Sequence, residues 1–121
     1  MCIRDSAQRL GIPVVPGSEG AIKDIKTAKK VAAEIGYPVI VKAASGGGGR
    51  GMKVAMTEED LPEAVSTAKT ESKAAFGDDA LYLEKYLITP RHIEIQVFGD
   101  GKGNAIPVSY THLTLPTTPY V

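Results

Sequence analysis

Apolar residues between positions 22 and 35 recur at helical spacing. Ile22, Ile25, Ala28, Ala32 and Ile35 share one face, and lysines take the other. Gly36 stops that helix and Pro38 follows it. The period then changes. Residues 37–44, YPVIVKAA, form a short β-branched run that predicts a strand, and residues 52–56 predict a second. Thr57-Glu-Glu-Asp60 has the shape of a capping box and predicts a helix start. Leu61, Ala64, Val65, Ala68 and Ala75 continue that helix until Gly77. Residues 80–87 read as a strand. From 91 to 98 apolar and polar residues alternate, the period of a half-buried strand. Asp100-Gly101-Lys102-Gly103 predicts a hairpin turn, and residues 104–106 begin the returning strand. The predicted order is α-β-β-α-β-β-β. Tight loops between neighbouring strands favour antiparallel pairing, so the expected class is α+β rather than a doubly wound sheet.

The two ends do not share this patterning. Residues 107–121, PVSYTHLTLPTTPYV, hold three prolines, four threonines and no charged residue. Proline removes a backbone donor, which makes such a segment a poor helix or central strand. Residues 1–6, MCIRDS, show neither periodicity nor a clean cap. Both ends resemble peptides translated from sequencing-adapter DNA at the edges of assembled fragments. The expectation is that 1–6 and 107–121 are such additions and that 7–106 is a partial domain.

Composition narrows the function classes. The 121 residues suffice for one domain or for a subdomain and part of the next. Lys+Arg and Asp+Glu both number 14, giving zero net charge. That balance speaks against nonspecific nucleic-acid or anionic-membrane binding as the main task. The single cysteine, Cys2, excludes an internal disulfide and fits a cytoplasmic setting. No apolar run approaches the ~18 residues of a membrane-spanning helix.

Chemistry concentrates in Lys42–Val54, KAASGGGGRGMKV. Gly46, Gly48 and Gly51 satisfy G-x-G-x-x-G, a weak signal alone. The P-loop requires Lys after the last glycine and then a helix, whereas Met52 and a strand follow here. The Rossmann loop also opens a helix, and the next predicted helix starts only near Thr57. A kinase loop lies between strands, but no HRD or DFG motif follows. A glycine-rich hairpin loop remains. Glycine lets backbone approach a ligand closely, and successive N–H groups can cradle an anion. Arg50 stands beside them, and Lys42 lies on the strand leading in, a compact charge suited to phosphate. The alternative is a solvent-exposed turn, which needs fewer glycines than five in six positions.

A second group is Glu84-Lys85-Tyr86-Leu87 followed by Pro90-Arg91-His92. A strand that ends there leaves backbone donors and acceptors of the kind an adenine edge takes. Spacing alone does not separate that role from a solvated Glu84–Lys85 pair and a structural His92.

The stretches GIPVVPGS (11–18), VKAASGGGGRGM (41–52), YLEKYL (82–87) and PRHIEIQVFGDGKGNAI (90–106) together resemble biotin carboxylase, the ATP-grasp component of acetyl-CoA carboxylase and related biotin-dependent carboxylases. The resemblance covers about Ala7 to Ile106. It implies an ATP-grasp B subdomain from about Pro13 to Tyr86 and the start of the next subdomain after it. The implied activity uses ATP, magnesium and bicarbonate to form carboxyphosphate, then carboxylates biotin on a carrier protein. By the same resemblance Lys42 contacts ATP phosphates, and Gly46, Gly47, Gly48, Gly49 and Gly51 form a lid over them. Met52 lines the adenine pocket. Glu84, Lys85 and Leu87 form the adenine-contacting hinge, and His92 lies near the ribose. The implied partners are the biotin carboxyl carrier protein and a carboxyltransferase, and the implied parent is a homodimer. The family's metal ligands, bicarbonate-holding residues and catalytic base are expected beyond Ile106, so the segment itself is expected to be inactive. Competing readings are another ATP-grasp ligase of the carbamoyl-phosphate synthetase large-subunit type, a non-catalytic nucleotide-binding module, and a structural α+β domain.

Overall fold

A computed structural model describes residues 3–46 and 49–113, with backbone alone for 109–113. Its elements are α1 (Ile3–Arg9), α2 (Ile25–Ile35), β1 (Val39–Ala43), β2 (Met52–Ala55), α3 (Leu61–Phe76), β3 (Leu81–Lys85), β4 (His92–Gly99) and β5 (Ala105–Leu113). The chain divides into two compact units, Met1–Tyr86 and Leu87–Val121. The expected α+β class holds, with antiparallel pairing throughout.

In the first unit the sheet order is β2-β1-β3. Alternation along β1 sends Val39, Val41 and Ala43 to one face, where they are buried with Ala55, Leu81 and Leu83. Helix α3 packs on β1 and β2 and α2 on β3, covering that face. Ala28 and Ala32 of α2 and Leu61, Ala64 and Ala68 of α3 complete the core. Small residues on the helices let them lie close to the sheet, while Leu61 and Leu83 each supply roughly 1.5–3 kcal/mol of burial.

The helix ends show where local chemistry outweighs periodicity. Helix α2 starts at Ile25 because the Asp24 carboxylate accepts from Thr27 N at 2.7 Å. Ile22 lies outside it and donates its N–H to Leu81 O at 2.7 Å. Helix α3 starts at Leu61, later than Thr57. Asp60 Oδ2 accepts from Thr57 N at 2.9 Å and Met56 N at 3.0 Å. That is the reach-back half of a capping box, spent on the turn before the helix. Gly77 closes α3 in the left-handed region, donating to Lys73 O.

Three expectations are corrected. Residues 3–9 are helical, although the sequence offers no apolar stripe there, and none of the seven is buried. The outer edge of β3 is covered. The run IPVVPGSEG (12–20), which reads from sequence as a Pro/Gly loop, bridges it through Gly17↔Glu84, and Ile22, expected on the helix face, bridges it through Ile22↔Leu81. Gly17 is required there, since an added Cβ would stand 2.7 Å from Leu83 O. Third, β4 is exposed along its whole length rather than half-buried. Its Ile93, Ile95 and Val97 do alternate, but the described residues of the second unit form a two-stranded hairpin and none of them makes a layer over that face.

The Asp100–Gly103 turn is present. Asp100 Oδ1 accepts from Lys102 N at 2.7 Å and Asn104 N at 3.1 Å, and Gly101 and Gly103 take positive φ. Strand β5 continues past Ile106 to Leu113. A register shift between Gln96 and Val97 sets Pro107 opposite Val97. A bulge on an edge strand tolerates the missing proline donor, which is how the strand passes it.

Candidate functional site

The face of the first sheet turned away from α2 and α3 carries the predicted phosphate residue. Lys42 pairs with Met52 on β2 and Tyr82 on β3, so these three side chains share that face. Ile40 pairs with Val54 and Glu84 in the next row. Glu84 is therefore the diagonal neighbour of Lys42, and its Oε2 accepts from Lys42 Nζ at 2.5 Å. Arg4 Nη1 reaches Glu84 Oε1 at 3.4 Å. The Lys42 and Glu84 side chains are 27% and 20% exposed, so the pair sits at a partly dried surface facing outward. A cavity of about 480 Å³ opens on the same face, lined by Ser18, Ala44, Tyr82 and Glu84 among others. Its size and its mostly apolar lining, with the polar groups of Arg4, Ser18 and Glu84 at hand, suit a small ligand.

The glycine loop joins β1 to β2 at the end of the sheet next to Lys42 and Met52. Its two feet are tied down. Gly46 N donates to Ala43 O at 3.3 Å, and Gly51 O accepts from Ala43 N at 2.9 Å. An added Cβ on Gly46 would stand 2.9 Å from Ala43 Cβ, and on Gly51 2.8 Å from the same atom. Gly46 and Gly51 thus have a packing reason to be glycine. Gly49 has a conformational one, its φ of 82°. Gly47 and Gly48 lie outside the described residues.

Side chains that no motif flagged hold these feet. Ser45 Oγ donates to Asp78 Oδ2 at 2.6 Å, and Asp78 Oδ1 accepts from Ala80 N at 3.0 Å. These bonds, the Ser45 one foremost, hold the Asp78 carboxyl below its usual range. Ser72 is fully buried and donates to Asp78 O at 2.6 Å. On the other foot, Glu71 accepts from Lys53 at 2.7 Å and from the Gly51 backbone, and both lower its pKa. The relevant signal was the FGDD turn after α3, which reads from sequence as a helix stop only.

At the second constellation the expected unpaired strand end is absent. Lys85 N donates to Pro16 O at 2.8 Å and Tyr86 N to Pro38 O at 3.1 Å. The Lys85 ammonium donates to Gly36 O and Tyr37 O, both at 2.8 Å, closing the C-terminal end of α2. Leu87 and His92 belong to the second unit. Leu87 is 49% exposed. His92 Nε2 lies 2.9 Å from Glu94 Oε1 at the start of β4. Within the first unit, then, Lys42, Met52 and Glu84 come together, while Lys85 turns its ammonium toward α2. Among the described residues no three His, Cys, Asp or Glu side chains converge on one cation position.

A strand–glycine loop–strand with a lysine at its base, set on an α+β sheet, is the architecture of a nucleotide-binding ATP-grasp unit. The family described as carbamoyl-phosphate synthase L chain, ATP binding domain, matches residues 2–117, and the chain belongs to it. Within that family the chain matches a fragment of the biotin carboxylase ATP-grasp domain. It is 53% identical over 104 residues to the biotin carboxylase of Pseudomonas aeruginosa, covering 85% of this chain and 23% of that protein. The crystal structure of the biotin carboxylase–beta-gamma-ATP complex from Campylobacter jejuni superposes with a TM-score of 0.82 at 55% identity, over 89% of this chain and 24% of that one. The biotin carboxylase domain dimer of 2-oxoglutarate carboxylase from Hydrogenobacter thermophilus, solved with MgADP, ADP and bicarbonate, also gives 0.82, at 47% identity over 89% and 24% of the two chains. The chain thus spans about a quarter of the length of these relatives.

Proposed function

We propose that the chain is the nucleotide-binding part of an enzyme that carboxylates biotin with ATP and bicarbonate. The observation that carries this reading is Lys42, held by Glu84 on the uncovered sheet face at the foot of the glycine loop. Lys42 supplies a positive charge to the ATP phosphates, exchanging its carboxylate partner for phosphate oxygens. Gly46 donates its N–H inward and Gly51 is bonded to Glu71. Gly49 and its neighbours in the loop are then the backbone donors for the phosphate tail. Met52 lies on the adenine side of the same face. Glu84, Lys85 and Leu87 form the adenine hinge, with Lys85 acting through its backbone because its ammonium is engaged by α2. His92 lies near the ribose.

Positioning and charge neutralisation are most of what phosphoryl transfer asks of a protein. A magnesium ion would supply further neutralisation at the phosphates. Several oxygen ligands are needed to hold one; among the described residues no three candidate ligands converge, and Glu84, once released by Lys42, would still be paired with Arg4. The segment therefore binds nucleotide without turning it over, and the chemistry through carboxyphosphate belongs to the parent enzyme. The parent acts on a biotin carboxyl carrier protein, hands its product to a carboxyltransferase, forms a homodimer and works in the cytoplasm. Relatives include a pyruvate carboxylase and a 2-oxoglutarate carboxylase as well as free-standing biotin carboxylases, so acetyl-CoA carboxylase is one of several parents consistent with this segment.

Equilibrium titration of the 121-residue chain with MgATP tests the reading. Lys42→Ala is expected to weaken affinity by about 10–100-fold, the worth of one hydrogen bond to a charged group. Unchanged affinity in that variant removes Lys42 from the phosphate site. ADP release by the isolated chain with MgATP, bicarbonate and biotin would refute its inactivity.

A further inference from the structure

The glycine loop is anchored by residues that the nucleotide-binding reading does not use, and Asp78 is at their centre. Its carboxylate accepts from Ser45 Oγ at 2.6 Å and from Ala80 N at 3.0 Å. Its carbonyl accepts from the fully buried Ser72 at 2.6 Å. Ala44 N donates to Ala80 O at 2.8 Å. Ser45 is three residues from Lys42, so this one turn fixes the chain between the phosphate lysine and the first loop glycine. The backbone bonds Ala44–Ala80 and Ala43–Gly51 hold strand pairing. The Ser45–Asp78 bond is different in kind. It is made by the exposed Ser45 and the half-buried Asp78 and adds nothing to the core, yet it sets the direction in which the chain leaves β1.

We propose that Asp78 is a positioning residue for the nucleotide: through Ser45 it fixes the first foot of the glycine loop, and so the placement of the loop relative to Lys42. A charged acceptor makes a stronger and more directional bond than a neutral one. The depressed pKa of Asp78 keeps the acceptor ionised at neutral pH. Unlike Lys42, Asp78 touches no nucleotide atom and acts on the loop even when no nucleotide is bound. The inference rests on the nucleotide-binding reading for its purpose, but the anchoring itself is separately measurable.

Arg50 supplies the measurement, because trypsin cuts after it and it lies exposed inside the loop. Cleavage at such a site reports how often the loop leaves its anchored conformation. In the full chain at neutral pH, Ser45→Ala is expected to raise the rate of cleavage after Arg50 about fivefold to tenfold relative to cleavage elsewhere. Ser45→Thr, which keeps the hydroxyl, is expected to stay near the wild-type rate. Asp78→Ala, which also removes the acceptor of Ala80 N, is expected to raise cleavage at least as much as Ser45→Ala, and the double variant to exceed Asp78→Ala by little, since the Ser45–Asp78 bond is already gone. The same variants are expected to weaken MgATP binding, with Ser45→Thr restoring it. Ser45→Ala keeps every backbone bond and the Asp78–Ala80 contact, so it folds even where Asp78→Ala does not. Wild-type cleavage in Ser45→Ala overturns the proposal, as does faster cleavage shared by Ser45→Thr. If Lys42→Ala binds MgATP as wild type does, the nucleotide reading falls while the cleavage series still decides whether Asp78 anchors the loop.

Discussion

Three glycines separate two costs that usually arrive together. Gly77 has a φ of 72° and open space around an added Cβ. Gly46 has no such φ, but its Cβ would meet Ala43 Cβ at 2.9 Å and the carbonyls of Ala43 and Arg50 at 3.2 Å. Gly51 combines a φ of 68° with a Cβ 2.8 Å from Ala43 Cβ. A left-handed conformation costs an L residue about 1–2 kcal/mol, and forcing an extra methyl into packed structure about 1–3 kcal/mol. Gly77→Ala is then expected to lose about 1–2 kcal/mol, Gly46→Ala about 1–3 kcal/mol and Gly51→Ala about 2–5 kcal/mol. The described helices all lie in the first unit, so the helix signal in urea unfolding follows that unit. At a slope near 1 kcal/mol per molar, each kcal/mol lowers the midpoint by about 1 M. Replacing Ala43 by Gly removes the atom that both Cβ groups strike. In that background Gly51→Ala should recover its steric share, Gly46→Ala only the part due to Ala43 Cβ, and Gly77→Ala nothing. If Gly51→Ala is no worse than Gly77→Ala, the close approach of loop and strand described above is wrong.

Two further outcomes follow from single contacts. Lys85→Met removes both bonds to the α2 terminus and leaves the Gly36 and Tyr37 carbonyls short of a donor; it is expected to lower stability by about 1–3 kcal/mol, read as a drop in the urea midpoint. The Asp24 carboxyl is held below its ordinary pKa, first by the Thr27 backbone N–H, and Asp78 first by Ser45. Both bind protons more weakly folded than unfolded. Their contribution is full above the ordinary carboxylate range near pH 4 and is lost as pH falls through the lowered folded values. Helix signal followed from pH 6 to pH 3 should therefore fall less steeply in Asp24→Asn than in the wild type, and an identical slope would count against the cap.

The first sheet was legible because its strands alternate against helices whose apolar stripes are regular. Ala28, Ala32, Val39, Val41, Leu61 and Leu83 all sit where periodicity puts them. Hydrogen bonds made by single polar residues were not legible in that way. Asp24 moves the start of α2 against an apolar pattern that begins at Ile22, and Asp60 spends the expected cap of α3 on the turn before it, so that helix starts only at Leu61. The alternation of β4 promised a buried face and found no partner layer in its own unit. Lys42 could be singled out from sequence because a lysine in an apolar strand before five glycines has few other uses; its place beside Met52 and Glu84 comes from strand register. The anchors at Asp78, Glu71 and Ser72 were not, because each is brought to the loop by the packing of α3 from roughly twenty or more residues away in sequence. Glu84 was singled out as a hinge residue, and its pairing with Lys42 becomes visible only once strand register makes them diagonal neighbours.

The central claim is that the uncovered face at Lys42 receives a nucleotide by its phosphates. The most direct test follows the backbone amide resonances of Gly49 and Arg50 in the 121-residue chain during titration with MgATP, and separately with adenosine. The account predicts that MgATP shifts both amides, that adenosine leaves them in place, and that Lys42→Ala abolishes the MgATP response. Equal shifts with adenosine, or an undiminished MgATP response in Lys42→Ala, would contradict it.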